Sequence, residues 1–122
     1  MSDLGKSKGD KEKDKEKEKK IRVLLSTCPQ GVAESLARFL VENRHAACVN
    51  VVPQVTSIYR WEGQVKQEPE SLLVIKSGKK GLKKVIAALV EEHPYDVPEV
   101  VVLTVKGGNP DYLDWVNDSV GS

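Results

Sequence analysis

The stretch from Ala46 to Lys76 constrains this chain more than any other. It runs Ala46-Ala47-Cys48-Val49-Asn50-Val51-Val52-Pro53, reaches Ile58-Tyr59-Arg60-Trp61-Glu62-Gly63 and returns through Glu70-Ser71-Leu72-Leu73-Val74-Ile75-Lys76. Its β-branched and aromatic side chains fit a pleated, half-buried surface. Gly63 lies where the chain has to reverse, and glycine takes positive φ at little steric cost. The stretch predicts one long β-hairpin with its tip near Trp61 to Lys66. Pro53 cannot donate a ladder hydrogen bond, so it predicts a bulge or bend and leaves open two shorter strands in place of one. Without a bulge, the odd positions from Val49 to Trp61 share one face. In the returning arm Leu72 and Val74 fall on one face and Leu73 and Ile75 on the other, the pattern of a central strand covered on both sides. A hairpin this long overshoots a small core and carries Tyr59 and Trp61 outward. The expected cover for those rings is another copy of the chain.

The flanks supply the rest of a domain. Ile21-Arg22-Val23-Leu24-Leu25-Ser26-Thr27 reads as a buried first strand. Val32, Leu36 and Leu40, joined by Ala33, Ala37 and Val41, predict an amphipathic helix from about Gln30 to Arg44. Arg44 and His45 then stand at its cation-favouring end. Leu82, Val85, Ile86, Leu89 and Val90 give a second helical stripe, which Pro94 ends. Val97 to Val105 reads as a further strand with Pro98 near its start. Asn109-Pro110-Asp111 is a helix start, with Tyr112, Trp115, Val116 and Val120 expected to pack one face. The order βαββαβ plus a short C-terminal helix is the ferredoxin-like α+β pattern, with both main helices on one face of a mainly antiparallel sheet.

Charge separates a tail from this body. The chain has 122 residues, and its first 20 hold eight Lys against six Asp and Glu, leaving eleven basic and twelve acidic residues in the body. Residues 1–20 carry almost no apolar surface and are expected to be a disordered, solvated arm ahead of a domain over 21–119. Neither part has the electropositive footprint of nucleic-acid binding. No apolar run approaches the roughly 20 residues of a membrane helix, and no secretory leader is apparent. Two cysteines, Cys28 and Cys48, make no disulfide framework, so a cytoplasmic setting with reduced thiols is expected.

Several residues could carry chemistry. Cys28, His45, Cys48 and His93 lack the close pairing of a zinc finger. Cys48, in an apolar strand, reads as a small buried hydrophobe. Cys28 before Pro29 is open to two readings, a packed inert thiol or one whose pKa a helix N-terminus lowers. His93-Pro94-Tyr95-Asp96-Val97-Pro98-Glu99 packs an imidazole, a phenol and two carboxylates into a stiff turn. It reads either as helix termination or as the wall of a pocket or metal site. No phosphate-cradling glycine loop and no nucleophile–base signature is present, so an enzyme is not expected.

Together, Ala46-Ala47-Cys48-Val49-Asn50, Tyr59-Arg60-Trp61-Glu62-Gly63, Glu70 through Lys76, His93-Pro94-Tyr95 with Pro98-Glu99, and Tyr112-Leu113-Asp114-Trp115 resemble the CutA divalent-cation tolerance family, from about Ile21 to Ser119. The resemblance implies a ferredoxin-like, PII-like homotrimer whose hairpins reach across neighbouring subunits. It implies a cytoplasmic, non-enzymatic role in the response to copper and other divalent ions; in animal relatives it also implies anchoring of acetylcholinesterase. Copper binding in the family is associated with a Cys ending the first strand and a His pair before Pro-Tyr. Here Ser26 takes that Cys position with Cys28 two residues on, and Glu92 precedes the matching His93. The implied ligands for weakly bound copper or another divalent cation are thus His93, Glu92 and Cys28. The resemblance also implies an inter-subunit cleft lined by Tyr59, Trp61, Glu70, Lys76, Tyr95, Glu99 and Trp115. Two readings of that cleft stand side by side: a site for a small ligand or partner protein, as in PII-like regulators, and a plain trimer interface.

Overall fold

The structure, a computed structural model, describes residues 20–121. The expected charged arm therefore lies outside the described residues except for Lys20. In chain order the elements are β1 (Ile21–Cys28), a 3-10 turn (Gln30–Val32) leading into α1 (Ala33–Glu42), β2 (Cys48–Trp61), β3 (Gln64–Gly78), α2 (Leu82–Glu92), β4 (Val101–Thr104) and α3 (Pro110–Ser119). The four strands form one sheet in the order β2-β3-β1-β4, with every pair antiparallel. This is the α+β ferredoxin-like arrangement that the element order predicts.

The core lies between the sheet and the two longer helices. Ala33, Leu36, Ala37 and Leu40 of α1 are buried at helical spacing, as are Val85 and Leu89 of α2. They close on Leu24, Cys28, Leu73 and Ile75 of the two central strands. A smaller cluster forms where Leu113 and Val116 of α3 meet Ile21. By strand alternation Ile21 shares its face with Val23 and Leu25, so α3 covers one end of the opposite sheet face. Asn109 caps α3 by accepting the Asp111 amide at 3.1 Å, with Pro110 at the first helical position. One expectation for α3 is corrected. Tyr112 and Trp115 do not pack inward but stand 42% and 48% exposed, while Leu113, not singled out beforehand, is buried. The buried stripe runs through Leu113 and Val116; Tyr112, one helical repeat before Val116, flanks it, and Trp115 lies farther round the helix.

The hairpin is a single pair of strands with one defect. Val52 stands opposite Leu72 and Val55 opposite Glu70, so β2 holds one extra residue between them. Gln54 absorbs it with φ 58°, directly after Pro53. Before the bulge, Val49 and Val51 sit opposite Ile75 and Leu73 and point into the helix layer. After it, Ser57, Tyr59 and Trp61 sit opposite Glu68, Lys66 and Gln64, on the other side of the sheet. The odd positions of β2 are thus split between two faces. The tip is a two-residue turn with Glu62 at φ 50° and Gly63 at φ 77°, the pair of positive values whose twist matches an antiparallel ribbon.

Other corrections are local. The last strand is shorter than Val97 to Val105, because only Val101–Thr104 pairs with β1, through Leu25 back to Arg22. Cys48 is half-buried rather than buried, since it precedes the bulge on the face away from the helices. Arg44, at φ 60°, serves α3 rather than its own helix: its guanidinium donates to the Asp118 and Ser119 carbonyls at 3.3 and 3.4 Å. Both ends of the described chain meet beside Gly78. A Cβ there would lie 3.3 Å from Val120 Cγ2 and 3.5 Å from the Lys20 carbonyl oxygen.

Candidate functional site

The site is built where β1 runs out. Cys28, its last residue, stands opposite Ser71, so Glu70 is the first residue of β3 without a β1 neighbour. The loop from His93 to Val100 crosses this gap. His93 caps the C-terminal end of α2, and its ring is buried. Nδ1 lies 3.1 Å from the Tyr95 amide and must accept, because that amide can only donate. Nε2 therefore carries the proton and donates to the Thr27 carbonyl at 2.8 Å. The two rings lie 4.7 Å apart, and Tyr95 reaches over to donate from its hydroxyl to Glu70 Oε2 at 2.8 Å. Glu70 is 5% exposed, an unusually buried position for a carboxylate.

A cavity of about 600 Å³ opens in front of this group. Tyr59, Trp61, Glu68, Glu70, Tyr95 and Glu99 line it, with Thr27, Ser57, Ile58, Lys66 and Val97 completing the wall. The bulge in β2 makes this possible, because it turns Tyr59 and Trp61 to the face that carries Glu68 and Glu70. The Thr27 hydroxyl lies 3.5 Å from Glu99 Oε1 as a donor. Carboxylates outnumber cations in the lining. Burial, the Glu70 hydrogen bond and the nearby carboxylates push the Tyr95 phenol far up. Tyr59 moves the same way, through desolvation first and then Glu68 and Glu70. The buried Cys28 thiol is also raised, by burial and then by Glu70; a thiol activated by a helix N-terminus is not what forms here.

Comparison with known proteins agrees with this architecture. The family model described as CutA1 divalent ion tolerance protein matches residues 22–119. The divalent-cation tolerance protein CutA of Thermus thermophilus is 44% identical over 99 residues, covering 81% of this chain and 96% of that protein. The solved structure of the divalent cation tolerance protein from the same organism superposes with a TM-score of 0.80 at 45% identity, covering 83% of this chain and 99% of that one. The PII-like protein CutA of a Nostoc species, in apo form, gives 0.79 at 36% identity over 82% of this chain and 97% of that one. This chain belongs to the CutA1 divalent ion tolerance family.

Within this CutA1 chain the predicted cleft residues divide. Tyr59, Trp61, Glu70, Tyr95 and Glu99 come together around one cavity. Lys76 and Trp115 do not join them. Lys76 lies far along β3, where its Nζ donates to Asn50 Oδ1, and Trp115 stacks on Tyr112 with centroids 5.6 Å apart. Thr27, Ser57, Lys66 and Glu68 were missed by sequence reasoning. Three of these are cross-strand partners within the hairpin, visible only once the bulge sets the register.

The implied metal ligands do not converge. Cys28 is fully buried, Glu92 is exposed at the end of α2, and both ring nitrogens of His93 are engaged. Among the described residues, no three His, Cys, Asp or Glu side chains form a group able to hold a metal ion. An ion at His93 would have to displace one of its two hydrogen bonds, each worth about 0.5–1.5 kcal/mol net. As they stand, these residues do not fit a tight copper centre. Among the described residues, no helix is long and apolar enough to cross a membrane.

Proposed function

We propose that this chain acts as a homotrimeric, non-enzymatic protein of the divalent-cation response, one that holds copper or another divalent cation only weakly. Membership of the CutA1 family supports the role. The observation that carries the assembly is the second sheet face. Val52, Val101 and Leu103 there are 41%, 45% and 45% exposed, and the hairpin projects Tyr59 and Trp61 on the same side. Exposed apolar side chains at both edges of one sheet face call for a partner surface. The two free cysteines suit a reducing compartment such as the cytoplasm. Native mass spectrometry at micromolar concentration tests the assembly, and a folded monomer would end that part of the reading. Calorimetric titration with Cu²⁺ tests the metal. A shallow isotherm that weakens further in His93→Ala supports weak binding through that ring, whereas unchanged heats remove His93 as a ligand.

A second reading has its own support. The cavity at Tyr95 and Glu70 is large, part aromatic and part charged, the makeup of a small-molecule site. On that reading the protein is a PII-like regulatory or scaffold module that binds a small ligand or partner protein at a cleft between subunits. A thermal-shift screen across amines, sugars, carboxylates and nucleotides tests it, and silence across the whole screen counts against it.

A further inference from the structure

The Glu70 carboxylate is more than nine-tenths buried, yet among the described residues no cation pairs with it. Its Oε2 takes the Tyr95 hydroxyl, while Oε1 receives no hydrogen bond from the described residues, and Glu70 lines the cavity. Buried charges in proteins are ordinarily paired, since desolvation heavily disfavours a lone one. Two more carboxylates, Glu68 and Glu99, line the same space. Its one lysine, Lys66, is paired across the ladder with Tyr59, nearer the tip, and makes no ion pair among the described residues. The negative field is felt by its surroundings, because Glu70 helps to raise Tyr59, Tyr95 and Cys28 alike.

The shape of the missing charge follows from the spacing. The carboxylates do not converge as a metal-binding group among the described residues, so a bare ion would not meet them together. The rings of Tyr59, Tyr95 and Trp61 line the same space, and aromatic faces attract cations while their bodies cover hydrocarbon. We infer that the cavity binds a small organic cation, an amine or quaternary ammonium whose charge meets Glu70 and whose carbon frame lies against Tyr59, Tyr95 and Trp61. This rests on the reading of the cavity as a small-molecule cleft, and it names the ligand class.

The test is calorimetric titration of the full, assembled chain in phosphate buffer, so that no amine buffer competes. The probes are choline and putrescine, 3,3-dimethylbutanol as the neutral isostere of choline, and glutarate and AMP as anions. A saturable isotherm is expected for at least one cation, with none for the neutral isostere. Affinity should fall about tenfold or more in Glu70→Gln, a near-isosteric change that keeps an acceptor for Tyr95. Glu68→Gln should weaken binding as well, and added salt should do the same in the parent chain. Circular dichroism and native mass spectrometry establish that each variant is folded and assembled; if Glu70→Gln is not, Glu68→Gln and the salt series decide. If the isostere or an anion binds as well as the cations, the class is wrong while the cleft stands. Cation binding that ignores both Gln variants also overturns the inference. Silence from every probe removes the cleft and the inference together.

Discussion

The Tyr95 hydroxyl donates to Glu70 Oε2 at 2.8 Å, bridging the loop after α2 to β3 at the point where β1 has ended. This bond supplies Glu70 with its one protein donor among the described residues. Tyr95→Phe should therefore cost about 1–3 kcal/mol, the penalty of a buried acceptor left unmade. Urea denaturation at fixed protein concentration measures it. In a cycle with Glu70→Ala, which removes the acceptor, the double variant should lose less than the sum of the singles.

The same contact sets a limit at high pH. Tyr95 is raised above the ordinary phenol value of 10.0, so the folded chain keeps a proton that the unfolded chain releases. Its contribution to stability is fully present below that ordinary value and is lost as pH climbs through the folded one. Stability should decline above about pH 10 in the parent chain, and less steeply in Tyr95→Phe. Ultraviolet absorbance of tyrosinate, followed alongside unfolding, would place Tyr95 ionisation after the other phenols. Early ionisation of Tyr95 in the folded state would contradict the contact.

Gln54 holds the bulge at φ 58°, a conformation most side chains resist. Gln54→Gly should raise stability slightly or leave it unchanged, and Gln54→Val should lower it by about 1–2 kcal/mol. Deleting Gln54 removes the inserted residue, so Pro53 would stand opposite Ser71 while Val55 stays opposite Glu70 and Tyr59 opposite Lys66. The two rings should keep their face, and their proton chemical shifts should change little. A large change would mean that the register past the bulge depends on the inserted residue.

Ser26 Oγ is buried without a hydrogen-bond partner among the described residues, on the helix side of β1 opposite Leu73. Removing an unsatisfied hydroxyl should be neutral or stabilising, so Ser26→Ala is expected to shift stability by zero to about +1 kcal/mol. A loss of stability by thermal denaturation would mean that the hydroxyl has a partner in solution.

Trp61 is 46% exposed in the single chain at the end of the hairpin. If a neighbouring subunit covers it, Trp61→Ala should weaken assembly by about 2 kcal/mol or more. Dilution followed by native mass spectrometry reads this directly. An assembly as tight as the parent's would release Trp61 from the interface.

Much of this was legible in the residues themselves, for identifiable reasons. Periodicity located α1 and α2 because their apolar stripes recur at helical spacing, and Pro53 announced the bulge because it lacks an amide proton. The direction of Tyr59 and Trp61 was not legible, since alternation tells which residues share a face only when no residue is inserted. The reach of β4 was misjudged because Val97 to Val100 has strand composition without a strand to pair with among the described residues. Lys76 and Trp115 were grouped with an inter-subunit cleft by motif, and within one chain they do not line the cavity of its other members. The pairing of Tyr95 with Glu70 spans 25 residues, which no local pattern reveals.

The meeting of Lys20 and Val120 beside Gly78 has a practical outcome. Gly78 closes β3 at the pole opposite the Glu62-Gly63 turn, so the described chain both enters at Lys20 and leaves at Val120 on the side remote from the cavity. A short bridge between those ends would also allow the polypeptide to be circularised and reopened at Gly63. Such a permutant would separate the two arms of the hairpin covalently and ask whether strand pairing alone can keep Tyr59 facing Glu68.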